Sequence, residues 1–341
     1  MLSRVADAIY WMSRYVERAE NTARVLDVNH SLTLDGPDAD ADWASLVNVL
    51  GDAGLFATRY GAPTRESVLR FLVFDKEAPG SVLSCLSYAR ENARTVREVV
   101  SSEMWEQVNH AYLRAVEASK DPNVLEAPNE YLEEVKKASQ LFVGITYLTM
   151  THNEAWHFAR LGRLLERADM TSRILDVKHA LISRDPTAIG SPHDELAWGA
   201  LLRSASAFEM YRKRHGQIMP SQVVAFLLFD QKFPRSVRYC LRKGERSLHA
   251  ITGRPLEECD SSAEKKLSEV VRRIDRTDVG EVLARGLHGW VDELQKDAFE
   301  IGAKVYESFF AVRPDHEEPS DEAAEPAQSQ SQSQSQSQSS P

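Results

Sequence analysis

The sequence predicts an all-α protein: a helical bundle built from a tandem duplication, two repeats related by a pseudo-two-fold, followed by a disordered C-terminal tail. Two observations carry this reading. Apolar residues recur with a helical period almost throughout, and few stretches alternate for long enough to form strands. The chain also repeats itself. Ser13 to His30 reads SRYVERAENTARVLDVNH and Gly162 to His179 reads GRLLERADMTSRILDVKH, so from Arg14 and Arg163 onward ten of seventeen aligned positions are identical at an offset of 149. FLVFDKEAPGSVLSCL from Phe71 matches FLLFDQKFPRSVRYCL from Phe226 at nine of sixteen positions, with an offset of 155, and Trp43 pairs with Trp198 at that same offset. The second copy accommodates the difference with the extra Pro/Gly-rich stretch SRDPTAIGSP. Two copies of one unit commonly associate about a two-fold, which would bring both Glu-Arg-Ala segments to a shared centre. Residues 1–311 therefore read as one helical domain, with repeat one at about 1–150 and repeat two at about 151–311, and 312–341 as the tail.

In order along the chain, a long helix is expected from about Ser3 to Leu34, stopped by Asp35-Gly36-Pro37, and the next from Asp42, a plausible N-cap. Pro63-Thr64-Arg65-Glu66 opens another. Pro79-Gly80-Ser81 separates it from a long helix running through ENARTVREVVSSEMWEQVNHAYLRAVEA to about Ser119. Asp121-Pro122-Asn123 breaks that helix, and one from about Asn129 to Met150 closes the first half. The second half repeats the plan and ends with a helix from about Val279 to Ala311. FLVF and FLLF have strand-like composition, but each is bounded by proline and has no ladder partner, so both read as buried helix ends. Beyond Asp315 the acidic, then Ser-Gln-rich chain has too little apolar surface to order itself.

The 341 residues, 43% of them hydrophobic, suffice for a sizeable core. A formal net charge of -10 argues against a general binder of nucleic acid or of anionic membranes. No apolar run reaches about 18 residues, and the N-terminus lacks a basic region followed by an apolar stretch and cleavage site, so a soluble cytoplasmic protein is expected. Cys85, Cys240 and Cys259 form no CxxC and read as small core residues.

The chemistry concentrates on the duplicated helix. At 100° per residue, Arg14, Glu17, Arg18, Asn21 and Arg24 share a sector of about 120°, opposite Met12, Val16, Ala19, Ala23 and Leu26. Tyr10, Trp11, Val25 and Val28 lie in or beside that charged sector. A solvated face is not normally bracketed by large apolar residues, so the stripe is expected to be buried or to line a cleft. Arg14 and Arg18 are like charges four residues apart and need compensation. Glu17 supplies part of it, Glu20 can pair with Arg24, and the second copy offers Glu166 and Asp169 beside Arg163, Arg167 and Arg173. Two readings stay open: a cross-repeat ion network that fixes how the halves dock, or a cleft whose arginines hold a carboxylate or phosphate while its glutamates take the amine or metal side of a ligand. Arg94, Ser101 and Trp105, with Glu98, share one face of the Glu91 to Asn109 segment and form either a solvated face or a further wall of that cleft.

Other patterns carry less. Glu154 and His157 spell the E-x-x-H of di-iron bundles, but their repeat equivalents are Val5 and Ala8, and a dimetal site needs two such pairs. Neither a metal nor a cofactor is expected. His30 and His179 sit at equivalent helix ends, where capping is the simpler role. No phosphate loop, Ser-His-Asp pattern or zinc spacing occurs.

LSRVADAIYWMSRYVERAENTARVLDV, ENARTVREVVSSEMWEQVN and LGRLLERADMTSRILDVKHAL together resemble the bacterial alpha-E family, over about residues 1 to 311. The resemblance implies an all-helical fold and a prominent glutamate, placed at Glu17 and Glu166. It also implies association with a circularly permuted ATP-grasp protein resembling a carboxylate-amine ligase, and often with a transglutaminase-like protease. The expected function is thus a cytoplasmic component of a peptide- or amide-bond-forming system, a non-catalytic partner that binds a small anionic substrate or peptide. The alternatives are an enzyme of amide chemistry with Glu17 or Glu166 as general base, and a structural helical scaffold.

Overall fold

Two long helices, each carrying one copy of the charged stripe, lie side by side at the centre of the molecule, and every other large element is arranged around them. The computed structural model describes residues 1–33, 39–184 and 192–311, and among these no strand occurs. The first half comprises α1 (Ser3–Thr33), α2 (Ala39–Leu50), α3 (Ala53–Tyr60), α4 (Arg65–Leu69), α5 (Val82–Thr95), α6 (Ser102–Ala118), α7 (Asn123–Glu126) and α8 (Asn129–Thr149). The second comprises α9 (Glu154–Arg184), α10 (Pro192–Ser204), α11 (Phe208–His215), α12 (Pro220–Phe229), α13 (Val237–Thr252), α14 (Ser262–Arg276), α15 (Val279–Arg285) and α16 (Leu287–Val305). Residues Met1–Ala311 form one compact unit.

Most boundaries follow local chemistry. Thr64 caps α4 in a box with Ser67, and Ser81 and Ser236 cap α5 and α13 through Ser84 N and Tyr239 N. FLVF is a buried π-helical turn at the end of α4, and FLLF is the buried end of α12, as their proline flanks suggest. Three expectations are corrected. The long helix from Ser81 to Ser119 is two helices: the first ends at Thr95, residues 96–100 form a turn, and Ser101 restarts the chain by accepting from Met104 N. The last helix is also two, separated at Gly286, whose φ of +92° suits glycine. The helix expected to open at Asp42 opens at Ala39. The turn at Asp35-Gly36-Pro37, the loop SRDPTAIGSP and the tail lie outside the described residues.

α1 packs on α5 and α8 of its own half, and α9 packs on α13 and α16 of its own. Their mutual contact joins the halves. Contacts between them run Met1 to Glu154, Arg14 to Glu166 and Arg167 to Glu17, at separations of 153, 152 and 150 residues, so the helices lie parallel and in register. Gly162 makes this possible: a Cβ there would clash with the Tyr10 carbonyl oxygen. α2 also crosses to α9 and α10 to α1. Cys85 and Cys240 are buried and donate to the carbonyls of Pro79 and Pro234, whereas Cys259 is only half-buried, against Ser268.

Candidate functional site

Because α1 and α9 are parallel and in register, the glutamate of each Glu-Arg pair meets the arginine of the other pair. Arg18 donates through Nε and Nη2 to Glu166 Oε1 and Oε2 at 2.5 and 2.9 Å. Arg167 donates through Nε and Nη2 to Glu17 Oε1 and Oε2 at 2.7 and 2.8 Å. Both are bidentate forks, the geometry in which guanidinium and carboxylate match best. Glu166 also accepts from Arg14 Nε at 2.9 Å, and Arg14 in turn donates to the Tyr10 hydroxyl at 3.1 Å and lies 4.8 Å over the Trp11 ring. The aromatic residues that bracket the stripe thus wall it in.

Glu17 has a different second partner. Arg235 donates through Nη1 to Glu17 Oε1 and Asn21 Oδ1, both at 3.2 Å, and through Nη2 to Glu20 Oε1 at 2.9 Å. Arg24 donates to Glu20, Asn21 and the carbonyl of Ser204. Asp169 takes Arg173, whose Nη1 reaches the carbonyl of Val49 at 3.5 Å. Arg163 is poorly served, its Nε being buried without a hydrogen-bond partner among the described residues, as is Asn21 Nδ2. The sequence marked every member of this seam except Arg235, and placed Tyr10 beside the charged sector. Arg235 was legible as the arginine that stands opposite Gly80 when FLLFDQKFPRSVRYCL is aligned with FLVFDKEAPGSVLSCL.

Burial on its own would push the carboxyls of Glu17 and Glu166 up, but the surrounding guanidiniums outweigh it. Glu17 is held at about 2, chiefly by Arg167 and then by Arg235 and Arg163. Glu166 is likewise held at about 2, by Arg18 and Arg14. Burial first, then neighbouring cations, lower Arg24 to about 10 and Arg163 to about 10.

One end of the seam is open. A cavity of about 310 Å³ is lined by Arg18, Glu166, Asp169 and Arg173 on the charged side, and by Phe71 and Gly80 among others on the opposite side. A larger cavity of about 350 Å³ between α1, α5, α6 and α8 is walled by residues such as Val108, Tyr131 and Phe142 and includes none of the charged seam. Arg94, Ser101 and Trp105 do not join the seam. Arg94 is exposed and pairs with Glu91 rather than Glu98, because the helix ends at Thr95. Ser101 caps α6 and bonds Thr149 Oγ1 at 2.7 Å, and Trp105 carries Arg97 over its ring. Glu154 accepts from the N-terminal amine at 3.0 Å, and Arg65 donates to His30 Nδ1 at 3.4 Å.

A family model described as a predicted alpha-helical domain with a conserved ER motif matches residues 1–310. The chain belongs to the Alpha-E family. The paired Glu17-Arg18 and Glu166-Arg167 of the seam are Glu-Arg dipeptides of the kind that description names. An uncharacterized protein of Mycobacterium bovis is 27% identical over 315 residues, covering 85% of this chain and 34% of its own length. Uncharacterized proteins of two Mycobacterium tuberculosis strains match at the same 27% identity and with the same coverage. This Alpha-E chain therefore spans about a third of the length of the curated relatives it matches. No solved structure matches it. Among the described residues no helix is long and apolar enough to cross a membrane.

Proposed function

We propose that this chain is a cytoplasmic, non-catalytic binding component of a peptide- or amide-bond-forming system, acting beside an ATP-grasp carboxylate-amine ligase-like protein and, in some settings, a transglutaminase-like protease. The observation that carries the reading is the open end of the seam. There Arg18 and Arg173 are 28% and 38% exposed and line the cavity beside Glu166, Asp169 and Asp52. Two guanidiniums exposed at a cavity wall suit the carboxylate or acyl phosphate that such ligases handle. The remainder of the seam, with its arginines already held by glutamates, fixes how the two helices dock.

Catalysis by Glu17 or Glu166 is the weaker reading. A general base needs a pKa near the working pH and a lone pair free for the proton, whereas both carboxylates sit at about 2 and are occupied by guanidinium forks. Relatives about three times as long support a unit that serves an attached or adjacent partner. We also read the halves as duplicated copies of one unit. An experimental structure in which Arg14 did not superpose on Arg163, or Phe74 on Phe229, would sink that part.

The test is co-purification from the native host with its ATP-grasp partner, followed by ATP-dependent product formation with wild type and with Arg173→Gln. Loss of product with a folded Arg173→Gln chain is expected. Absence of any ligase partner would overturn the proposal, and product made by this chain alone would replace it with the enzyme reading.

A further inference from the structure

The open end of the seam has an internal control, because the other end is closed by the protein itself. The two ends share their local bonding. Ser81 and Ser236 donate to the carbonyls of Asp75 and Asp230, Cys85 and Cys240 to those of Pro79 and Pro234, and Arg173 and Arg24 to those of Val49 and Ser204. Within this common frame, repeat alignment sets Gly80 opposite Arg235 and Ala78 opposite Phe233. Phe233 covers Phe226 at 4.8 Å between ring centroids, and Arg235 brings its guanidinium to Glu17, Glu20 and Asn21. In the first half both side chains are missing, and the cavity lies where they would be, with Phe71, Ala78 and Gly80 in its lining.

The carboxylate that matches Glu20 is Asp169. Glu20 is 2% exposed beneath Arg235, whereas Asp169 is 17% exposed. Asp169 accepts from Arg173 at Oδ2, and among the described residues no hydrogen bond reaches its Oδ1. We propose that this cavity is a guanidinium site: an arginine side chain or a free guanidinium compound supplies to Asp169, beside Glu166, the group that Arg235 supplies to Glu20 and Glu17. Charge permits it. The closed end already holds Arg24, Arg163, Arg167 and Arg235 against Glu17 and Glu20, whereas the open end sets Arg14, Arg18 and Arg173 against Glu166, Asp169 and the Asp52 of the cavity wall, so a bound guanidinium leaves the open end no more cationic than the closed one. The apolar part of the wall, Val49, Leu50, Leu55, Leu72, Pro79 and Met170, suits the methylene stem of arginine, and Asp52 adds a further carboxylate to the lining. The inference rests on the proposed reading of the cavity as a ligand site and names the ligand: with Arg18 and Arg173 at the same wall, an arginine-like amino acid or peptide places a carboxylate there and its guanidinium at Asp169.

Isothermal titration of the full chain with four probes decides it. L-arginine, agmatine (which keeps the guanidinium and lacks the carboxylate) and an end-capped arginine tripeptide are compared with citrulline, the neutral isostere of arginine. Arginine should bind at least about tenfold tighter than citrulline, and Asp169→Asn should weaken arginine by a similar factor. Gly80→Arg, which installs the plug of the other half, should abolish binding. Tighter binding of agmatine or free arginine identifies a metabolite as the source, and tighter binding of the capped tripeptide identifies a protein or peptide. Citrulline binding as well as arginine would overturn the guanidinium site while leaving a carboxylate site standing. Failure of all three guanidinium probes would overturn the inference whatever the ligase partner does.

Discussion

Arg18 and Arg167 look interchangeable in sequence, but the structure separates them. Arg167 is 14% exposed, and its loss leaves buried Glu17 with Arg235 as its closest cation. Arg18 is 28% exposed, and its loss leaves Glu166 with Arg14. Arg167→Gln should therefore destabilise by about 3 kcal/mol and Arg18→Gln by about 1 kcal/mol, measured by urea unfolding. Equal effects would show that the second partners do not compensate. Arg163, with its buried unpartnered Nε, is the opposite case. Arg163→Met should leave stability unchanged or raise it by about 1 kcal/mol, since apolar replacement of a poorly paired buried charge removes a desolvation cost. The glutamates set a pH dependence whose sign is fixed. Glu17 and Glu166 are lowered from the ordinary 4.5 to about 2 on folding. Their contribution is complete above about 4.5 and is lost as the pH falls from there towards 2. Unfolding midpoints should be level from pH 7 to 5 and fall steeply below 4.5. A midpoint that held down to pH 3 would show that these carboxylates do not stabilise the fold through their charge.

The decisive element is the parallel pair α1 and α9. Its close approach depends on Gly162, because the atom nearest to a Cβ there is the Tyr10 backbone carbonyl oxygen, which cannot rotate aside, with Tyr10 Cδ2 and Arg14 Cγ next at 3.1 Å. Gly162→Ala should cost about 2 kcal/mol or more in thermal or urea unfolding, despite the better helix propensity of alanine. An unchanged stability would mean that the helices can part without disturbing the ion forks. The periodicity of these two helices was plain in the sequence. The breaks at Val96 to Ser101 and at Gly286 were harder to see, since helical spacing continued across both and the only signals were a serine N-cap and one glycine.

At the level of the whole molecule, the halves are locked by charge as well as by packing. α1 carries Glu17, whose cation partners Arg167 and Arg235 both come from the second half, and α9 carries Glu166, whose partners Arg14 and Arg18 come from the first. Residues 1–150 expressed alone should not unfold cooperatively, because the faces of α1 and α2 that α9 and α10 cover would be left open and Glu17 would lose both of its cation partners. A cooperative circular-dichroism melt of that fragment would refute this.

What the sequence determined by itself was the helical class and the place of the charged stripe, because helical periodicity and two similar Glu-Arg segments are both one-dimensional patterns. It even placed Gly80 against Arg235. What only the tertiary structure decided was which charge meets which. The parallel registry of α1 and α9 joins each glutamate to the other copy's arginines, carries Arg94, Ser101 and Trp105 onto another face, and turns the Gly80/Arg235 difference into one filled and one open end. Such pairings depend on which backbones approach closely across about 150 residues of chain, and local spacing holds no information about that distance.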